Sequence, residues 1–84
     1  MHSRLRYESC ALRALKKLDA RDRATIVAAL EAFADGRSPT ADVRKLDVKP
    51  PTWRLRVGRF RVLYRLAGGD VVAMAVEDRK DVYR

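Results

Sequence analysis

From Trp53 the sequence reads WRLRVGRFRVLYRL, and apolar residues alternate with charged ones almost without a break. That period of two belongs to a β-strand with one face buried and the other in water. Trp53, Leu55 and Val57 fall on one side, Arg54 and Arg56 on the other. Gly58-Arg59 fits a tight two-residue turn, and Phe60, Val62, Tyr64 and Leu66 continue the apolar side on the return. Such a turn fixes the pairing: Val57 opposite Phe60, Arg56 opposite Arg61, Leu55 opposite Val62, Arg54 opposite Leu63. A slip by one residue would turn every side chain to the wrong face. The rest of the chain therefore has to cover one particular side of this hairpin.

That cover is legible upstream. Ala11, Ala14, Leu15 and Leu18 recur at i, i+3, i+4 and i+7, one face of a helix. Asp19 can cap a second helix, with Asp22 well placed in its positive first turn. Ile26, Leu30 and Phe33, backed by Ala29, form its apolar stripe, and Gly36 supplies its stop. So short a link makes the two helices antiparallel. Ahead of them, Arg4-Leu5-Arg6-Tyr7 alternates like a short strand. Gly36 to Thr52 contains all three prolines and reads as an ordered connector, anchored to the core by Val43 and Leu46.

After the hairpin, Gly68-Gly69-Asp70 marks a turn into a last strand, Val71 to Val76. A three-residue loop places Val72, Met74 and Val76 beside Leu66, Tyr64 and Val62. A two-residue turn would place Ala73, Ala75 and Glu77 there, so the apolar pattern favours the longer loop. The expected fold is α+β, in the order β-α-α-β-β-β. It has an N-terminal strand, then an antiparallel helical hairpin packed on one face of an antiparallel sheet, with residues 1–84 as a single domain.

Nineteen Lys and Arg against eleven Asp and Glu leave a net charge of +8, a field that favours anionic partners. Cys10 is the only cysteine, which excludes an internal disulfide and a cysteine-based metal cluster. It reads as a small buried apolar residue. No apolar run is long enough for a membrane span or a signal peptide, so the expected compartment is the cytoplasm, with no membrane partner. No cofactor and no metal is expected, and His2, the only histidine, is given no role. Lys16, Lys17, Arg21 and Arg23 read as a solvated helix face.

The hairpin register throws Arg54, Arg56 and Arg61 onto the face away from the helices, with Arg65 further along. Like charges directly opposite one another in a sheet are destabilising, a cost that a bound anion removes. Arginine suits phosphate and carboxylate because its planar fork makes two parallel hydrogen bonds. The same register brings Glu77 next to Arg61. Trp53, Phe60 and Tyr64 belong to the core side.

Taken together, Lys45-Leu46, Trp53 to Tyr64, and Arg79 with Asp81-Val82-Tyr83 resemble the RelE/ParE toxin superfamily of bacterial type II toxin–antitoxin systems. The helix junction LKKLDARDR resembles it too, so the likeness spans nearly the whole chain. The resemblance implies a RelE-like fold and a toxin neutralised by a cognate antitoxin through an extended acidic segment. It further implies inhibition of translation by ribosome-dependent mRNA cleavage, a metal-independent endoribonuclease reaction in which the ribose 2′-hydroxyl attacks the adjacent phosphate. The alternatives are a ParE-like, non-enzymatic inhibitor of DNA gyrase and an attenuated member that only binds an antitoxin.

By resemblance, Arg54 and Arg56 match two basic positions of the first hairpin strand and Arg61 the phosphate-stabilising arginine. Arg79 matches the basic segment that contributes an acid or another cation, and Tyr83 a tyrosine that engages the substrate base. Tyr83 reads equally as a cover for the sheet edge. The chain departs from the pattern in its acid–base groups. Arginine does not deprotonate in proteins, so Arg54 and Arg56 cannot serve as the base. Where many relatives carry a histidine this chain has Asp78, with Glu77 beside it, and either carboxylate could substitute.

Overall fold

The architecture was taken from a computed structural model, which describes residues 4–37 and 42–79. The elements run β1 (Leu5–Tyr7), α1 (Ser9–Lys17), α2 (Ala20–Ala34), β2 (Asp42–Leu46), β3 (Thr52–Val57), β4 (Phe60–Ala67) and β5 (Asp70–Asp78). The five strands form one sheet in the order β1-β5-β4-β3-β2.

Local chemistry accounts for the helix ends. The Asp19 carboxylate accepts a hydrogen bond from the Asp22 N–H at 2.9 Å, satisfying a donor the helix cannot. At the other end Gly36 adopts φ +73°. The Arg37 N–H donates to the Ala32 carbonyl and the Gly36 N–H to that of Phe33, a Schellman closure.

The hairpin β3–β4 has the register read from the sequence, from Val57 opposite Phe60 to Trp53 opposite Tyr64. Gly58 takes φ +59° and Arg59 a negative φ, the signs of a type II′ turn. The helices cover one face only. Ala11 and Leu15 of α1 and Ile26, Leu30 and Ala34 of α2 meet Leu55, Phe60, Val62, Tyr64, Val71 and Ala73 in a buried core. Tyr64 lies at its centre, edge-on to Phe33 at 5.2 Å and stacked with Trp53 at 6.1 Å. Burial pushes the Tyr64 phenol up to about 12, because the phenolate would lose its hydration.

The structure corrects four expectations. The connector contains a strand: β2 pairs antiparallel with β3, and Val43, 39% exposed, anchors nothing. β1 joins β5 in parallel, so the sheet is mixed, antiparallel from β2 to β5. The β4–β5 loop has two residues, Gly68 and Gly69, whose positive φ angles suit a type I′ turn. Val71 and Ala73, and not Val72 and Met74, therefore face the core beside Leu66 and Tyr64. A bulge at Met74 then shifts the strand by one residue, which returns Val76 to its expected place beside Val62. Finally, Cys10 is exposed, because α1 turns Ala11 and Leu15 inward.

Candidate functional site: an arginine cleft on the helix-free face

The helix-free face of the sheet is built in rows. One row crosses Asp42, Arg56, Arg61 and Glu77 on four successive strands; the next crosses Arg44, Arg54, Leu63 and Ala75. Acids stand at both ends of the first row and arginines in its middle. Arg54, Arg56, Arg59, Arg61 and Arg79 line one cleft of about 170 Å³. Four of the five expected site residues are thus brought together, while Tyr83 lies outside the described residues.

Each arginine is placed by a different device. Arg54 and Arg56 come from the alternation of β3, and Arg61 from the register of β4. Arg79 follows β5, where its N–H donates to the Arg59 carbonyl at 2.8 Å and holds the strand end beside the turn. Arg59 occupies the turn itself. Its guanidinium lies 3.2 Å from Asp22 and 3.3 Å from Asp78, and 4.8 Å from the centre of the Phe60 ring. It pins the hairpin tip to the start of α2. Sequence reasoning missed Arg59 as a cleft residue, and no local signal marks it, since its α2 partner is 37 positions away. It also missed Arg44, which the unread strand β2 places opposite Arg54 and outside the cleft lining.

Neutralisation is partial. One terminal nitrogen of Arg54 approaches Asp42 at 3.7 Å, and one of Arg61 approaches Glu77 at 3.5 Å. Both are single-point pairs at solvent, a class of contact worth about 0–1 kcal/mol. Arg56 has no ion pair among the described residues. The Nε groups of Arg54, Arg61 and Arg65 are buried and meet no hydrogen-bond acceptor. An unmet buried donor costs about 1–3 kcal/mol, and an oxyanion on the open side of the sheet meets the terminal guanidinium nitrogens, not these buried Nε atoms.

The bulge in β5 decides which acid can take part. Glu77 shares the arginine face, opposite Arg61, whereas Asp78 lies opposite Phe60 on the helix side and is held by Arg59. Among the described residues the cleft lining contains neither histidine nor lysine, and no group of three or more His, Cys, Asp or Glu could hold a metal ion. No helix among them is long and apolar enough to cross a membrane.

Comparison with known proteins places this geometry. The RelBE toxin–antitoxin complex of Mycobacterium tuberculosis contains a chain 28% identical, covering 94% of this chain and 100% of that one, with a TM-score of 0.79. The archaeal RelE–RelB complex of Pyrococcus horikoshii gives 21% identity, coverage of 94% and 97%, and a TM-score of 0.75. The RelB–RelE complex of Methanococcus jannaschii gives 20%, 93% and 94%, and 0.75. These likenesses establish the RelE-like fold. The search of curated proteins gave no match. Residues 5–83 match the family described as "ParE toxin of type II toxin-antitoxin system, parDE", and the chain belongs to it, a toxin of the RelE/ParE superfamily.

Proposed function

We propose that this toxin inhibits translation by cutting mRNA on the ribosome, and that a cognate antitoxin neutralises it. The observation that carries the reading is the convergence of Arg54, Arg56, Arg61 and Arg79 on one cleft. Support for an antitoxin comes from the neighbouring structures, which are toxin–antitoxin complexes, and from the excess positive charge.

In the proposed reaction the Glu77 carboxylate takes the proton of a ribose 2′-hydroxyl. The freed electron pair of the 2′ oxygen forms a bond to the adjacent phosphorus. The P–O5′ bond then breaks, leaving a 2′,3′-cyclic phosphate, and the departing 5′ oxygen takes a proton from water. Arg56 and Arg61 hold the non-bridging oxygens, whose charge grows in the transition state, and Arg54 and Arg79 flank them. Glu77 is preferred over Asp78 because it faces the arginines. Tyr83 is proposed, on resemblance, to engage a base.

A second reading has its own support: the matching family is that of ParE toxins, and among the described residues the cleft has neither histidine nor lysine. On that reading the same face would contact DNA gyrase without chemistry. Expression from an inducible promoter separates the two. Codon-phased mRNA ends, abolished by Arg61→Ala, support ribosomal cleavage. Intact mRNA with filamentation and a DNA-damage response refutes it in favour of gyrase.

A further inference from the structure

We propose that Arg65 and Arg6 form a second phosphate subsite, which extends the arginine cleft into a track for the backbone of single-stranded RNA. The proposal rests on the RNA reading above and goes beyond it by assigning residues that no resemblance singles out.

The geometry follows from the pairing. On β4 the helix-free face carries Arg61, Leu63 and Arg65, each two residues from the next, about 6.7 Å of strand. Positive charge recurs at each level. Arg56 stands beside Arg61, and Arg44 beside Arg54 at the level of Leu63. At the third level Arg65 and Arg6 flank Val72 from its two sides. Their strands lie two ladder steps apart, about 9.6 Å, so two long side chains can close on one anion over Val72. A cleft of about 410 Å³ opens there, lined by Arg6, Arg65 and Val72 with Tyr7, Glu8 and Ala67.

The electrostatics favour a guest. Arg65 has no ion pair among the described residues, and its Nε is buried without an acceptor. Arg6 approaches Asp70 at 3.6 Å, with half of its side chain exposed, a contact weak enough to yield. Glu8 lies at the edge of this cleft and Asp70 beside Arg6; neither pairs with Arg65 among the described residues. Successive phosphates of an unstacked strand are spaced on the scale of successive levels. The backbone can thus run along the strand direction from the reactive cleft to Arg65. A duplex is too broad and stiff to follow these levels with one of its strands.

The test uses fluorescence anisotropy of 2′-O-methyl oligoribonucleotides, which cannot undergo 2′ attack, of about three and about eight nucleotides, lengths that bracket a small site. For wild type, the long oligonucleotide should show the steeper dependence of affinity on salt. Arg65→Gln should flatten that slope by about 0.7, the contribution of one phosphate on a single strand, and leave the short one's slope unchanged. Arg6→Gln, at an exposed position where folding is safe, should flatten it in the same direction. A long-oligonucleotide slope unaffected by both variants overturns the subsite while leaving the RNA reading intact. Failure of wild type to bind either length also overturns the subsite, whereas the reading of ribosomal cleavage falls only if mRNA stays intact on induction.

Discussion

Replacing Glu77 by Gln sets binding against chemistry. The substitution keeps the size of the side chain and removes one negative charge, 3.5 Å from an Arg61 nitrogen. Arg61 loses a competing partner worth about 0.2–1 kcal/mol, as exposed pairs are. A phosphate about 7 Å away also escapes a repulsion of about 0.6 kcal/mol in water. The sum is about 1 kcal/mol, so a non-cleavable oligoribonucleotide should bind about fivefold more tightly. Stability should move by less than about 0.5 kcal/mol, because the site is at the surface. Cleavage should fall about a hundredfold or more, the usual contribution of a general base. The assay pairs anisotropy on 2′-O-methyl RNA with cleavage of the same sequence on programmed ribosomes. Full cleavage activity in the variant would refute Glu77 as the proton acceptor. Unchanged affinity would refute the claim that Arg61 grips phosphate.

Leu30→Ala empties a fully buried position and should lower stability by about 3 kcal/mol, read as a shift of the urea midpoint with little change in slope. Asp19→Ala removes the carboxylate that accepts from the Asp22 N–H and should cost about 1 kcal/mol in the same experiment. The Tyr64 phenol is raised by burial to about 12, so its ionisation opposes folding. Its contribution is complete below pH 10 and is lost as the pH climbs through 12. Between those limits wild type should lose more stability than Tyr64→Phe, and equal losses would show that Tyr64 ionises as freely in the fold as outside it.

The hairpin was legible because two independent signals agree there, a period of two and a glycine at the turn that fixes the register. The helices were legible for a similar reason: apolar spacing coincides with Asp19 at one end and Gly36 at the other. What stayed hidden has a physical cause in each case. β2 is an edge strand whose residues are mostly exposed, so it carries charge on both sides and no alternation. The bulge at Met74 inserts one residue of backbone into a run where every residue from Val71 to Val76 is apolar, so the composition gives no mark of it. Arg59 lines the cleft while its guanidinium pairs with Asp22 and Asp78, and only the folded chain brings either acid near. The arginine face itself was readable from the register alone, while the choice between Glu77 and Asp78 waited on the bulge.

That one extra residue makes the last strand a two-phase element: its first half is timed to the core, its second half to the cleft. Deleting Met74 would only remove the bulge and leave Glu77 opposite Arg61, but inserting a single codon between Ala75 and Glu77 would exchange the two neighbouring acids, sending Glu77 under the helices and Asp78 out among the cations. Core integrity and toxicity would then fail together. In a chain whose product harms its host, such in-frame slips offer a short mutational path from an armed toxin to a silent one, without any change to an arginine.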